Sequence, residues 1–165
     1  MATLKIHIIG LGVSESAELS MQVKAVLSRC DMVIGSPRQL ETVVTFLTDV
    51  KITTLPLPKL DRLKATIEDA DAQTIAVIAS GDPLYFGIGR WFSENFSNQE
   101  LFFYPAVSSV QAACHRFGLS LQDVTVLSLH GRPMEKIRTK IRANTTLVVL
   151  TDKSSQPQVL ARECV

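Results

Sequence analysis

Short apolar runs alternate along this chain with segments whose apolar residues recur at helical spacing. No other feature constrains the fold as much. An apolar run of four to eight residues bounded by turn signals suits a strand buried on both faces, whereas a helix needs a longer periodic pattern. Five such runs open the chain: "LKIHII" (4–9), "MVIG" (32–35), "KITTLPL" (51–57), "TIAVIA" (74–79) and "LFFY" (101–104). Between them, Leu19, Val23, Val26, Leu27 and Cys30 share one helical stripe. Leu40, Val43, Val44 and Leu47 form a second stripe after Pro37, and Leu60, Leu63 and Ile67 a third. A further helix is expected from about Leu84 to Phe96. Strands alternating with helices predict an α/β fold, a mostly parallel sheet with helices on both faces. Pro37 suits a first helical turn, where its missing N–H is no loss. Pro56 marks the end of the third strand or an edge position.

Beyond Pro105 the pattern continues with fewer strands. "SSVQAACHRFGL" reads as a helix that stops around Gly118, "VTVLSL" (124–129) as a strand, "PMEKIRTKIR" (133–142) as a helix and "TLVVLT" (146–151) as a strand. The remaining "DKSSQPQVLARECV" reads as a loop and part of a helix. We therefore expect two lobes, residues 1–106 and 107–165. Two strands are few for an independent sheet, so the second lobe is expected either to pack on the first or to be incomplete.

Composition narrows the function classes. Of 165 residues, 46% are hydrophobic and 20% charged, as in soluble globular proteins. The formal net charge of +1 and the lack of any Lys/Arg run argue against a nucleic-acid surface. No apolar stretch approaches the roughly 20 residues of a membrane span. "MATLKIHIIGLG" reads as a buried first strand rather than a signal peptide. Cys30, Cys114 and Cys164 are odd in number and lack metal-ligand spacing, so they read as reduced thiols of a cytoplasmic protein with no metal site.

Ligands of parallel α/β sheets gather beyond the carboxyl ends of the strands. Four unusual loops fall there. In "GLGVSES", Gly10 and Gly12 allow a tight turn and close backbone approach. The pattern G-x-G-x-x-G fails at Glu15, and no acid follows the second strand, which disfavours NAD. In "SGDPLYFG", Gly81 again permits close approach. Asp82 either accepts from a ligand hydroxyl or ammonium, or caps a helix with Pro83 in its first turn. In "PAVSSVQ", Ser108 and Ser109 either cap a helix or contact a ligand. In "HGRP", Arg132 suits a two-point contact with a carboxylate, and His130 can donate or shuttle a proton; a plain solvated loop is the alternative. His7, within a strand, and His115, within a helix, read as structural.

These loops, in this order, resemble those of the tetrapyrrole (corrin/porphyrin) methylases. The resemblance rests on "IIGLGVSES", "VIGSPRQL", "ASGDPLYFGIG", "PAVSSVQAACHRFGL" and "SLHGRP", and it spans essentially the whole chain. "VIGSPRQL" and "SLHGR" are most similar to the branch of cobalt-precorrin-7 C(5)-methyltransferases and precorrin-6Y methylases of cobalamin synthesis. Two departures stand out. Val13 and Ser14 replace the Pro-Gly usual in the family's first loop, and members usually continue past the equivalent of Val165, so a truncated second lobe is expected.

The resemblance implies a tetrapyrrole methylase-like fold of two α/β lobes with a cofactor cleft between them. It implies S-adenosyl-L-methionine as cofactor, a precorrin or cobalt-precorrin substrate methylated at C-5, and a homodimer. A separate C(15)-methylase/decarboxylase would be a further partner. Carried over motif by motif, the cofactor contacts are Val13, Ser80, Gly81, Asp82, Leu84, Ser108, Ser109 and Thr151. Arg38, Tyr85, His130 and Arg132 would meet the substrate, with Phe86 helping Tyr85 to line the site. His130 is the candidate catalytic proton acceptor, with a bound water as its rival. The alternative readings are a tetrapyrrole methylase of other regiochemistry and a non-catalytic fragment completed by a partner chain.

Overall fold

The computed structural model describes residues 4–14, 17–48, 51–98 and 100–163; Glu15 and Cys164, named above, lie outside them. The chain divides into two compact units, Met1–Ser108 and Ser109–Val165, a boundary two residues beyond the one expected.

The first unit runs β1 (Lys5–Gly10), α1 (Met21–Leu27), β2 (Met32–Gly35), α2 (Pro37–Val43), β3 (Thr53–Pro56), α3 (Leu60–Glu68), β4 (Thr74–Ala79), α4 (Gly89–Asn95) and β5 (Leu101–Tyr104). All five strands are parallel, in the order β3-β2-β4-β1-β5. Strand side chains alternate between faces, and this alternation splits the core in two. Ile6 and Ile8 of β1, with Ile75 and Val77 of β4, meet Leu63 and Ile67 of α3 and Phe92 of α4. Ile9, Ala76 and Ile78 belong to the other cluster, with Val23 and Leu27 of α1 and Val43 of α2. Both faces are covered, which is why β1 and β4 read as nearly continuous apolar runs. Pro56 is the last residue of the edge strand β3, where its missing N–H breaks no ladder.

The start of α1 is fixed by Ser20, whose side chain accepts from the Val23 N–H. A reciprocal capping box starts α2: Ser36 Oγ accepts from the Gln39 N–H, and Gln39 Oε1 accepts from the Ser36 N–H, with Pro37 in the first turn. The helix expected from about Leu84 is shorter, since α4 begins only at Gly89. Asp82 caps an isolated turn instead, and Phe86, at φ 54°, leaves the right-handed helical region and breaks the segment in two.

The second unit holds α5 (Ser109–Phe117), β6 (Val124–Ser128), β7 (Thr146–Leu150) and α6 (Pro157–Glu163). A Schellman motif ends α5: Gly118 sits at φ 64°, its N–H donates to the His115 carbonyl, and Leu119 N–H donates to that of Cys114. β6 and β7 pair in parallel, with Ser128 opposite Leu150. Leu127, Leu129, Ile137 and Leu160 form a small core. The helix expected over 133–142 is a 3₁₀ segment, Met134–Thr139. Ile137 is its one buried residue, so no continuous apolar stripe holds it in α form.

Candidate functional site

The topology of the first unit opens a crevice. β1 and β4 are neighbours, and the connection from β1 passes β4 to reach β2 while that from β4 passes β1 to reach β5. The helices that follow pack on opposite faces, α1 with α2 and α3 with α4. Ligands of doubly wound sheets bind beyond the carboxyl ends of neighbouring strands whose connections leave for opposite faces.

Two glycines tie the loops after β1 and β4 together. Gly12 and Gly81 form an isolated antiparallel bridge, in which the Gly81 N–H donates to the Gly12 carbonyl at 2.9 Å and the Gly12 N–H to that of Gly81 at 3.4 Å. Their φ angles, 72° and 62°, lie in the left-handed region that side chains disfavour. Gly10 is required for a different reason. A Cβ there would lie 2.5 Å from the Gly81 carbonyl oxygen and 3.0 Å from both Pro83 Cδ and Ala106 Cβ. The loops after β1, β4 and β5 thus converge on a point that has no room for a methyl group.

Two cavities flank the loop after β1. The larger, about 620 Å³, lies among Gly12, Val13, Glu18, Gln22, Tyr104 and Val107. The smaller, about 250 Å³, lies among Val13, Ser36, Arg38, Gln39 and Ser80. Val13 therefore stands between them, exposed to both. Asp82 Oδ1 accepts from the N–H groups of Leu84 (2.9 Å) and Tyr85 (3.1 Å), which leaves Oδ2 without a protein partner among the described residues. Leu84, Tyr85 and Phe86 are exposed on the turn that Asp82 holds, with the two rings edge to face. Ser108 is buried, and Ser109 is exposed as the first residue of α5.

Sequence reasoning missed two residues of this site. Gln39 Nε2 donates to Ser80 Oγ at 2.9 Å, tying the first turn of α2 to the loop after β4. Its signal was the S-x-x-Q spacing of the capping box. Tyr104 lines the larger cavity, and its hydroxyl pairs with His7 Nδ1 at 2.9 Å. Burial lowers the His7 pKa, with the nearby Lys5 charge adding to the effect, and raises that of the Tyr104 phenol. A neutral pair results, and it fixes the ring that walls the cavity.

In the second unit, His130, Arg132 and Thr151 are exposed at the carboxyl ends of β6 and β7. The structure brings them onto two adjacent loops, joined by a hydrogen bond from the Gly131 N–H to Asp152 Oδ2 (2.9 Å). Among the described residues, no group of three or more His, Cys, Asp or Glu side chains could hold a metal ion, and no helix is long and apolar enough to cross a membrane.

A family model, Tetrapyrrole (Corrin/Porphyrin) Methylases, matches residues 5–163. The chain is 31% identical over 154 residues to a precorrin-6Y C(5,15)-methyltransferase [decarboxylating] of Sinorhizobium sp, a match covering 93% of this chain and 37% of that protein. It is 33% identical over 91 residues to a cobalt-precorrin-7 C(5)-methyltransferase of Salmonella typhimurium, covering 55% of this chain and 44% of that one. The chain thus spans less than half the length of these curated relatives. Among solved structures, the precorrin-6Y methylase of Archaeoglobus fulgidus superposes with a TM-score of 0.73 at 28% identity, over 94% of this chain and 77% of that one. The family match covers both units and every loop described above, and the chain belongs to the tetrapyrrole (corrin/porphyrin) methylases.

Proposed function

We propose that this chain transfers a methyl group from S-adenosyl-L-methionine to C-5 of a precorrin or cobalt-precorrin in cobalamin synthesis. The observation that carries this reading is the Gly12–Gly81 bridge at the strand ends beside a cavity of about 620 Å³ that Gly12 lines. That volume suits a small-molecule site, for which roughly 300–1,000 Å³ is usual. The residues present fit the cofactor's chemistry. Its hydroxyls, ammonium and sulfonium call for acceptors, which Glu18 and the free oxygen of Asp82 supply, and Tyr104 and Val13 offer apolar surface. The names of the relatives favour C-5 as the acceptor carbon.

When bound, the cofactor supplies a methyl group already activated on sulfur, so the chain needs no covalent nucleophile. Its residues act by alignment and exclusion of water. On this reading Val13, Ser80, Gly81, Asp82, Leu84, Ser108, Ser109 and Thr151 hold the cofactor. Arg38, Tyr85, His130 and Arg132 meet the macrocycle and its carboxylates, and His130 accepts the ring proton. The cavity that Arg38 shares with Val13 and Ser80 supports a guanidinium close to the cofactor loops. The homodimer and the cytoplasmic setting implied by the resemblance belong to the same reading, as does a partner chain for C(15) methylation and decarboxylation. Light scattering on the purified chain tests the dimer.

The direct test is methyl transfer to enzymatically prepared precorrin substrates, with the new methyl located by NMR. A single methyl at C-5 is the expected result. A methyl on another ring carbon would establish a different regiochemistry. Cofactor binding without transfer to any substrate would favour a chain that needs a partner.

A further inference from the structure

Five hydrogen bonds converge on the carboxylate of Asp152, just past β7. Four are local. Oδ1 accepts from the N–H and hydroxyl of Ser154 (2.9 and 2.7 Å) and from the N–H and hydroxyl of Ser155 (both 2.9 Å). Asp and Ser at a loop start commonly fold back in this way. The fifth bond is different, because Oδ2 reaches the Gly131 N–H on the loop after β6.

Gly131 is the hinge of a tight turn. The Arg132 N–H donates to the Leu129 carbonyl at 2.9 Å, and Gly131 sits at φ 64°. The turn is rooted on the β6–β7 ladder, which Leu129 extends by donating to the Leu150 carbonyl at 2.9 Å. His130 and Arg132 flank the glycine. Both are exposed, and among the described residues neither side chain has a protein partner. Their positions follow from the backbone of the turn, and the Asp152 side chain bonds to that backbone from outside.

We propose that Asp152 is a positioning residue: its carboxylate locks the Leu129–Arg132 turn and so sets where His130 and Arg132 meet the carboxylate arms of a tetrapyrrole. The identity of that ligand rests on the function proposed above; the locking of the turn does not. The same donors hold the Asp152 carboxyl well below the usual carboxylate range, which keeps the lock charged at neutral pH.

Asp152→Asn separates the two roles of this side chain. Its remaining oxygen can keep the four local donors, which places an amide NH₂ against the Gly131 N–H, donor against donor. Two readouts on the full chain decide the matter. One is the Gly131 amide resonance and its exchange rate. The other is binding of uroporphyrin, an octacarboxylate tetrapyrrole, followed by its Soret band. In Asp152→Asn the Gly131 amide should shift and exchange about tenfold faster, and uroporphyrin should bind about tenfold more weakly, the size of one lost charge-assisted contact. Ser154→Ala, which trims only the local bonds, should change affinity less than about twofold. Asp152→Asn combined with Arg132→Ala should lose less affinity than the sum of the two single losses, because the aspartate acts in part through the arginine.

An unchanged Gly131 amide in a folded Asp152→Asn sample overturns the proposal whatever binds. A changed amide with undiminished uroporphyrin affinity, or fully additive losses in the double variant, overturns the positioning role. A wild-type chain that does not bind uroporphyrin contradicts the tetrapyrrole reading instead, and the lock on the turn is then decided by the amide alone.

Discussion

The sheet of the first unit buries side chains on both faces, five strands deep, whereas the β6–β7 pair of the second unit rests on a core of four buried residues. The two regions hold their functional loops by correspondingly different means. In the first, burial fixes the strands, and the loops at their carboxyl ends are shaped by close packing about Gly10. In the second, with little apolar surface to bury, the loop carrying His130 and Arg132 is held by the carboxylate of Asp152. Hydrophobic burial is non-directional and fixes a scaffold; a carboxylate with five donors is directional and fixes a turn.

The largest effect is expected in the first core. Ile8 is fully buried in β1, and Ile8→Ala should cost about 2–5 kcal/mol in denaturant unfolding. Leu129→Ala should fall at the low end of that range, since its thin surroundings can relax into the space. In native-state hydrogen exchange, the amides of β1 and β4 should be the most protected and those of β6 and β7 less so. Equal protection in the two regions would break the comparison.

Next comes Gly10→Ala. The added methyl meets the Gly81 carbonyl oxygen at 2.5 Å, so overpacking of about 1–3 kcal/mol is expected, together with loss of S-adenosylhomocysteine binding. Asp82→Ala sharpens the point, because it should weaken cofactor binding more than it lowers the melting temperature. A stability loss with unchanged binding would reduce Asp82 to the cap of its turn.

A smaller effect concerns pH. The folded-state pKa of His7 lies below its unfolded value of 6.5, because burial and Lys5 disfavour the imidazolium. Between those two pKa values the unfolded chain binds more protons, so stability rises with pH there. The contribution is fully present above pH 6.5 and is lost as pH falls through the folded pKa. His7→Gln, which can keep a hydrogen bond to Tyr104 without titrating, should flatten this part of the melting-temperature profile. The smallest effect is chemical. Burial pushes the Cys30 thiol up to about 11, so its peptide should be among the last labelled by an alkylating reagent at neutral pH.

Much of the scaffold was legible in the sequence, because burial on both faces writes itself as apolar runs. β2, β4 and β5 occupy 32–35, 74–79 and 101–104, where the runs predicted them. Less legible was the stretch after Asp82. Leu84, Tyr85 and Ile88 offer a plausible helical pattern, but the carboxylate closes a separate turn first, and Phe86 leaves helical space. The four candidate loops were legible as turn signals at strand ends, and their cross-links were not. Gln39 acts on Ser80, 41 residues away, and Asp152 on Gly131, 21 residues away. Neither pairing has a local signature; the S-x-x-Q spacing marks Gln39 as a capping residue and carries no sign of Ser80.

On the function proposed above, S-adenosylmethionine lies in the cavity of about 620 Å³ beside the Gly12–Gly81 bridge. Calorimetric titration of the purified chain with S-adenosylhomocysteine, with NAD as the control ligand, tests it most directly. Saturable binding of the sulfur ligand is expected, with no heat from NAD and loss of the signal in Gly10→Ala. A folded chain that leaves S-adenosylhomocysteine unbound, or that binds NAD in its place, would contradict it.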